Sequence, residues 1–257
     1  MKKEKQSKRK KKKKPASSEN FTHVLLIFLA CVLLGLFLKI FVFEKNTEKN
    51  NIYHKVKTVD DLNRNVGEAI IRFVQQHPYA NIGLASGSTP EGIYNYLINK
   101  NKKGEVSFKN IKFFSIDGYC GLKKTDEKSY YYALTNSFLS KIDAQEKNIH
   151  LLKEEGESES DYKKNAEDYN KLLKENRIDL QILSFGENGH IGYNEPDTDF
   201  DLLTHVVELS DEKRNEKKKA FGSLETTPKY AITQGVKVFY KLKKLLLLLK
   251  VKEKLKL

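Results

Sequence analysis

Three short apolar segments, each followed at once by a loop of glycine and polar residues, constrain the fold more than any other feature of the chain. They lie at residues 81–85, 111–117 and 180–185, with the sequences NIGLA, IKFFSID and LQILSF. Their length is that of buried strands, and segments with helical spacing of apolar residues separate them. Strands that alternate with helices form parallel sheets covered by helices. The sequence therefore predicts an α/β fold: a three-layer, doubly wound, mostly parallel sheet of the Rossmann-like kind.

Four segments have the three- and four-residue spacing of apolar side chains that marks an amphipathic helix. The first begins after Asp60 or Asp61, either of which can cap it, and the second spans residues 90–99. The apolar positions of the first, third and fourth are Leu62, Val66, Ile70 and Phe73; Tyr131, Leu134, Phe138 and Ile142; and Tyr162, Ala166, Tyr169 and Leu173. Residues 241–257 consist almost only of Lys and Leu, which fits either a strand followed by the start of a helix or degraded coding sequence.

The net charge of +13 is concentrated at the N-terminus, where residues 1–14 hold ten Lys or Arg against one Glu. A basic tail of this kind binds nucleic acid or anionic lipid. The apolar segment that follows favours lipid. We therefore expect no nucleic-acid partner.

Residues 24–43 form a twenty-residue apolar segment that only Lys39 interrupts. Twenty helical residues match the ~30 Å hydrocarbon core of a bilayer. The sequence predicts a basic tail at residues 1–22, a single transmembrane helix at 23–43, a linker at 44–52 and a folded domain at 53–257. The alternative is a cleaved signal peptide, but the basic leader is long for one and no small-residue cleavage motif follows Phe43.

The positive-inside rule places the basic tail in the cytoplasm, so a single span would put the domain on the outer side. The two cysteines, Cys31 and Cys120, suggest neither a disulfide framework nor a zinc site. The histidines outside the third loop have no metal-ligand spacing, and we expect no metal.

The first polar loop, residues 85–91 (ASGSTPE), joins a predicted strand to a predicted helix. Pro90 suits a first helical turn, and Ser88 and Glu91 have the spacing of a capping box. Free N–H groups and the helix dipole at such a position favour an anion. The loop therefore predicts a phosphate site at Gly87, Ser88 and Thr89; the alternative is an ordinary helix cap.

The second and third loops carry candidate acid–base groups. Asp117 ends an apolar strand, where partial burial can raise the pKa of a carboxyl as a general base requires. The alternative is an Asp that caps a turn. Residues 186–196 (GENGHIGYNEP) combine Asn188, His190 and Glu195 with flanking glycines. A carboxylate can orient an imidazole and raise its basicity, so this loop is a candidate catalytic site rather than a surface loop.

The segments GLASGSTPEGIYNYL, SFKNIKFFSIDGYCGL, SYYYALTNSFL and FGENGHIGYNEP resemble glucosamine-6-phosphate deaminases in order and spacing, and TPKYAITQGVK continues the match. The resemblance covers about residues 52 to 250. The related 6-phosphogluconolactonases also carry a glycine–histidine loop, but they lack the NEP that follows it here.

The resemblance implies an isomerising deamination, in which glucosamine 6-phosphate and water give fructose 6-phosphate and ammonium. Asp117 matches the base that moves a proton between C2 and C1, and His190 matches the histidine that assists ring opening, with Glu195 as its carboxylate partner. Asn188 stands where members carry Asp or Asn, and the turn from Gly87 to Thr89 matches the phosphate cradle. The family needs no metal or organic cofactor, and its members often form homo-oligomers.

Departures from the family pattern qualify this interpretation. Gly118 stands where many members carry a second acidic residue. Lys219 falls where the family has a phosphate-binding arginine, and Lys254 where it has a phosphate-contacting lysine. The chain also ends at Leu257, earlier than family members do, which predicts a domain incomplete at its C-terminus.

Two alternatives to a working deaminase follow. One is a catalytically impaired, membrane-anchored remnant that at most binds sugar phosphate, and the other is a 6-phosphogluconolactonase-like hydrolase. An outward-facing domain also conflicts with a cytosolic phosphorylated substrate, so the enzyme would be cytoplasmic if residues 1–50 came from another gene.

Overall fold

Ten strands and six α-helices make up the part of the chain that the structure, a computed structural model, describes. That part comprises residues 58–184, 188–239 and 242, and the backbone of 39–44, 52–55 and 244–249. The strands are β1 (Lys39–Glu44), β2 (Ile52–Lys55), β3 (Asn81–Leu84), β4 (Lys112–Ser115), β5 (Asp117–Tyr119), β6 (Ile149–His150), β7 (Leu180–Ser184), β8 (His205–Glu208), β9 (Tyr230–Thr233) and β10 (Lys244–Leu249). The helices are α1 (Val59–Gln76), α2 (Ser88–Lys102), α3 (Tyr130–Ser137), α4 (Glu159–Glu175), α5 (Asp211–Phe221) and α6 (Val236–Phe239), with 3-10 turns at Leu139–Lys141 and Glu146–Asn148.

The larger sheet has the strand order β2-β1-β10-β7-β3-β4-β6. Neighbours from β10 to β6 run parallel, whereas β1 is antiparallel to both β2 and β10. The predicted α/β fold with a mostly parallel sheet is therefore confirmed. A smaller antiparallel sheet, β5-β9-β8, was not predicted.

The predicted strands and helices are present because their apolar faces pack into a common core, but the third helix is shorter than predicted. It ends at Ser137, so Phe138 and Ile142 flank the 3-10 turn that follows it. The three predicted strands correspond to β3, β4 and β7, whose residues are mostly buried. The first predicted helix, α1, buries the apolar face that its spacing indicates. Each fully buried large side chain contributes about 1.5–3 kcal/mol relative to exposure. Those with the least exposed surface include Ile70, Ile82, Leu84, Ile93, Leu97, Phe108, Phe113, Phe114 and Phe138.

Both predicted helix caps are wrong. Thr58 caps α1, where its Oγ1 accepts the N–H of Asp61 at 3.0 Å. Asp60 and Asp61 instead lie in the first turn, where their charge suits the helix dipole. Ser88 is already the first residue of α2, so the residue at the cap is Gly87 and no side chain caps that helix.

The predicted transmembrane helix cannot extend to residue 43, because Lys39–Glu44 forms β1 and pairs with β2 and β10. An apolar run does not by itself distinguish a strand from a helix, and here pairing within the sheet decides the conformation. Lys39–Glu44 therefore belongs to the larger sheet, although the sequence analysis began the folded domain only at residue 53. Residues 24–38 lie outside the described residues. None of the helices described is both long and apolar enough to cross a membrane.

The Lys- and Leu-rich segment at the C-terminal end contains a strand, as one of the two alternatives for it predicted. Lys244–Leu249 forms β10, which lies between β1 and β7 in the larger sheet. Residues 250–257, where the prediction places the start of a helix, lie outside the described residues.

We expect Gly235→Ala to destabilise the fold by about 1–3 kcal/mol, the usual range for overpacking a tight site. A Cβ at Gly235 would collide with the backbone carbonyl oxygens of Leu202 and Leu203, which cannot move aside as a side chain can. Denaturant unfolding measures the change. Gly67→Ala is the control: its Cβ would collide with a ring carbon of Tyr96, but that ring is a side chain that can move aside, and a helix gains about 1 kcal/mol from the exchange, so we expect a smaller loss. Equal destabilisation of the two variants would contradict the prediction.

Candidate active site

The three polar loops lie together because they follow three neighbouring strands. In the larger sheet β3 lies between β7 and β4, and all three run parallel. Ligands bind at the carboxyl ends of such strands. The N–H of Ile116 donates to the carbonyl of Leu84 at 3.2 Å, which holds the ends of β4 and β3 side by side.

Asp117 lies where the two sheets meet. It is the first residue of β5 and pairs with Thr233 of β9. The residue is half-buried, and burial raises the pKa of its carboxyl to about 7. The carboxyl thus has the property that the sequence predicted for a general base, with desolvation as the cause.

The third loop passes directly over this carboxyl. Gly192 has a φ of +58°, and a Cβ there would lie 2.6 Å from Oγ1 of Thr233 and 3.4 Å from Oδ2 of Asp117. A side chain at this position would crowd Thr233 and project towards the carboxyl. Glycine therefore lets the loop approach Asp117 closely, which brings the second and third predicted loops into one site.

His190, Asn188 and Glu195 form a chain of hydrogen bonds with the asparagine in the middle. Nδ1 of His190 lies 2.5 Å from Oδ1 of Asn188, and Nδ2 of Asn188 donates to Oε2 of Glu195 at 2.7 Å. The expectation that Glu195 partners His190 directly is therefore corrected: the carboxylate acts through an amide. Asn188 is long enough to bridge the two, and it also accepts the backbone N–H of His190 at 3.2 Å.

This chain fixes the tautomer of His190. A carboxylate can only accept, so Asn188 must present its NH₂ to Glu195 and its oxygen to His190. Nδ1 of His190 must then carry the proton, and Nε2 keeps a free lone pair. Burial, and then the positive charge of Lys213, lower the pKa of His190, although Glu195 opposes the shift. The imidazole is accordingly neutral at physiological pH and can accept a proton at Nε2.

Lys213 is the lysine that reaches this site, and the sequence analysis missed it. Its Nζ lies 3.2 Å from Oε1 of Glu195. Burial opposes ionisation of Glu195, but hydrogen bonds from Asn188 and Lys213 outweigh it and lower the pKa of that carboxyl. Ser210 caps α5, and Lys213 lies in the first turn of that helix. A serine before a helical segment is a capping signal, and it is the one feature of the sequence that could have placed Lys213 there.

Lys219, the predicted phosphate ligand, lies in the last turn of α5 and is exposed. Six residues separate it from Lys213, which amounts to about 9 Å along a helix and a different face. The structure therefore does not bring Lys219 to the site. Lys254, the other predicted lysine, lies outside the described residues.

The predicted phosphate loop has the geometry of an anion site. Gly87 has a φ of +105°, and a fifteen-residue helix begins directly after it without a side-chain cap. The N–H groups of Ser88 and Thr89 are therefore left for a ligand, and the helix dipole favours a negative one. The hydroxyl of Ser86 just before the turn is buried and has no hydrogen-bond partner among the described residues.

A cluster of three tyrosine rings, which the sequence analysis also missed, lies near Asp117. The ring of Tyr119 packs edge-on against those of Tyr130 and Tyr193, with ring centroids 5.2 Å and 5.6 Å away. The hydroxyl oxygens of Tyr130 and Tyr193 are 3.2 Å apart. Burial, together with the charge of Asp117, raises the pKa of both hydroxyls well above the usual value. The tyrosines therefore stay neutral at physiological pH.

The chain resembles known proteins over most of its length. A family model described as glucosamine-6-phosphate isomerases/6-phosphogluconolactonase matches residues 54–199. The chain belongs to this family. A glucosamine-6-phosphate deaminase of Thermoanaerobacter sp. (strain X514) is 37% identical over 196 residues, which cover 76% of each chain.

Solved structures of the glucosamine-6-phosphate isomerase/6-phosphogluconolactonase family share the fold. A monomeric glucosamine-6-phosphate deaminase superposes with a TM-score of 0.66 and 32% identity, covering 71% of this chain and 75% of that one. A 6-phosphogluconolactonase from Trypanosoma brucei superposes with a TM-score of 0.59 at 16% identity, covering 72% and 76%. At that identity the lactonase is evidence for the fold alone.

The structure brings most of the predicted site residues together at the carboxyl ends of neighbouring strands, with Lys219 as the exception among those it describes. Asp117 meets the loop that carries His190 and Glu195, and Gly87 to Thr89 lie at the end of the neighbouring strand β3. In the ranges described, no three His, Cys, Asp or Glu side chains are close enough together to hold a metal ion.

We expect Lys213→Met to raise the pKa of His190, because it removes a positive charge that lowers this pKa and leaves Glu195 unopposed. NMR titration of the imidazole measures the shift. Lys219→Met is the matched control on the same helix and should leave the titration unchanged. An equal response to both substitutions would show that general charge, and not position, sets the pKa.

Proposed function

We propose that this chain is a glucosamine-6-phosphate deaminase, which converts glucosamine 6-phosphate and water into fructose 6-phosphate and ammonium. The observation that carries the proposal is the approach of Gly192 to the Asp117 carboxyl, which joins a base of raised pKa to the loop of His190. Curated relatives at 37% identity that bear this name support it.

Ring opening comes first, because the proton to be moved later sits next to an aldehyde only in the open-chain sugar. It needs one group that takes a proton from the C1 hydroxyl and returns one to the ring oxygen. His190 suits both steps, since it is neutral and its Nε2 is free while Nδ1 is bound to Asn188. Glu195 stabilises the transient imidazolium through Asn188.

Isomerisation then moves two protons. Asp117 takes the proton from C2 of the open-chain aminoaldehyde and returns it to C1, while the substrate's ammonium nitrogen gives up a proton and the C1 oxygen gains one. The product has an iminium group at C2 and a hydroxymethyl group at C1. Water adds at C2, its oxygen replaces the nitrogen, and ammonium leaves. A carboxyl with a pKa of about 7 suits this role, because it can both accept and donate a proton at neutral pH.

The phosphate of the substrate fits the start of α2. Its oxygens can accept from the N–H groups of Ser88 and Thr89.

Membrane association through residues 24–38 and homo-oligomer formation stay predictions. If the basic tail lies on the cytoplasmic side and the chain crosses the membrane once, the domain would face away from cytosolic sugar phosphates. Protease protection of intact membranes that carry the full chain would test this orientation.

Asp117→Asn should reduce ammonium release from glucosamine 6-phosphate by about 10²–10⁴-fold, the usual contribution of a general base. In the wild-type chain kcat/KM should rise with pH through about 7, as the carboxyl loses its proton. Asp168→Asn is the control, because Asp168 is an exposed residue paired with Lys171 on α4. Full activity of the Asp117 variant would refute its role, and release of an acid from a lactone without ammonium would favour a lactonase.

The same substitution should stabilise the protein at about pH 8. The pKa of Asp117 is about 7 in the folded protein and about 3.9 in an unfolded chain. Between these values the folded protein binds more protons than the unfolded chain, so Asp117 lowers stability as the pH rises from about 4 to about 7. Asparagine does not ionise, so the variant does not lose stability in this way. Thermal unfolding should therefore give the variant the higher midpoint at about pH 8, and the difference should shrink towards pH 4; an opposite trend would contradict a raised pKa.

A further inference from the structure

A second buried carboxyl, that of Glu154, lies behind β5 outside the site described above. Glu154 follows β6 and is 3% exposed. A Cβ built on Gly118 would lie 2.7 Å from its Cδ and 2.8 Å from its Oε1. The carboxyl of Glu154 therefore occupies the space where a side chain at position 118, next to Asp117, would begin.

The contacts of Glu154 connect β5 with α3. Its Oε1 accepts the N–H of Tyr131 in the first turn of α3 at 2.8 Å, and its backbone carbonyl accepts the N–H of Gly121 at 2.8 Å. Backbone hydrogen bonds from Tyr131, Tyr130 and Tyr119 all favour the ionised form of this carboxyl. Tyr119 ends β5 and Tyr130 begins α3, so the Glu154 carboxyl ties the end of one to the start of the other.

Glu154 and Asp117 are electrostatically coupled. Burial raises the pKa of Glu154 to about 8, and the charge of Asp117 adds to the shift. The other titratable groups around them do not change charge near neutral pH: burial raises the pKa of Cys120 to about 12, and those of Tyr130 and Tyr193 lie well above the usual value. Of the described groups named here, the two carboxyls are the ones that exchange protons near neutral pH, and two such acids titrate as a pair.

We propose that Glu154 is a positioning residue for the base Asp117, and that its carboxyl fills the space beside Gly118 that a side chain there would occupy. It holds β5 against the first turn of α3, which carries Tyr130, and its own proton limits the negative charge beside Asp117. This inference rests on the proposed function.

Asp117→Asn tests the electrostatic part. The pKa of Glu154, about 8, lies above that of Asp117, about 7, so Glu154 is still protonated while Asp117 ionises, and the charge that acts is that of Asp117. Removal of that charge should lower the pKa of Glu154, measured by NMR of its side-chain carboxyl carbon. An unchanged pKa of Glu154 would overturn the coupling.

Exchange of the two side chains tests the shared space. Gly118→Glu alone should lower the unfolding midpoint and reduce ammonium release more than tenfold, because two glutamates cannot occupy one space; Glu154→Gly alone should also reduce release more than tenfold. The double variant Gly118→Glu/Glu154→Gly should recover both properties to within about threefold in rate. Gly118→Glu/Glu155→Gly is the matched control and should not recover. Losses that simply add in the exchange variant would overturn the proposal.

The two proposals fail in different ways. A wild-type chain that releases no ammonium would refute the deaminase function. The NMR pKa of Glu154 and the unfolding midpoints of the exchange series need no turnover, so they still decide whether Glu154 is coupled to Asp117 and fills the space beside Gly118.

Discussion

The hydrogen bonds of Gln234 are the constraint on which the rest of the site depends. Its backbone N–H donates to Ile116 at 2.7 Å and its side chain donates to Ser115 at 2.8 Å, so the residue after β9 is fixed to the end of β4. Its carbonyl accepts the amide of Asn194 at 2.8 Å, which fixes the third loop as well. Gln234 is fully buried, so water does not compete for these bonds. The approach of Gly192 to Asp117 follows from this single junction between the two sheets.

Burial at that junction has opposite effects on activity and stability. It gives Asp117 a pKa at which proton transfer works in both directions, and the same desolvation opposes folding at neutral pH. Glu154 adds a second carboxyl to the same buried region. The packed rings of Tyr119, Tyr130 and Tyr193 contribute apolar burial that offsets such a cost, and they also keep the dielectric low. Stability and base strength therefore depend on the same side chains.

The sequence predicted the parts of the fold that depend on local pattern. β3, β4 and β7 are continuous apolar runs, and the helices have clear apolar faces. The smaller sheet escaped prediction because it joins short strands far apart in the chain, at Asp117–Tyr119, His205–Glu208 and Tyr230–Thr233. The conformation of Lys39–Glu44 was mistaken for the same reason: its apolar run fits a helix, and only pairing with the distant β10 makes it a strand. Motif reasoning likewise found Asp117, His190 and Glu195 but not the hydrogen-bond path between the last two.

That path shows why an amide suits the middle position. A carboxylate between His190 and Glu195 would place two negative charges in contact, whereas Asn188 has a donor for one neighbour and an acceptor for the other. Because its two ends differ, the orientation set by Glu195 also decides which nitrogen of His190 carries the proton. Lys213 balances the remaining negative charge, so the imidazole is oriented by a carboxylate without being held in its charged form. Orientation and basicity of the histidine are thereby set by different residues, Asn188 for the first and the opposed charges of Glu195 and Lys213 for the second.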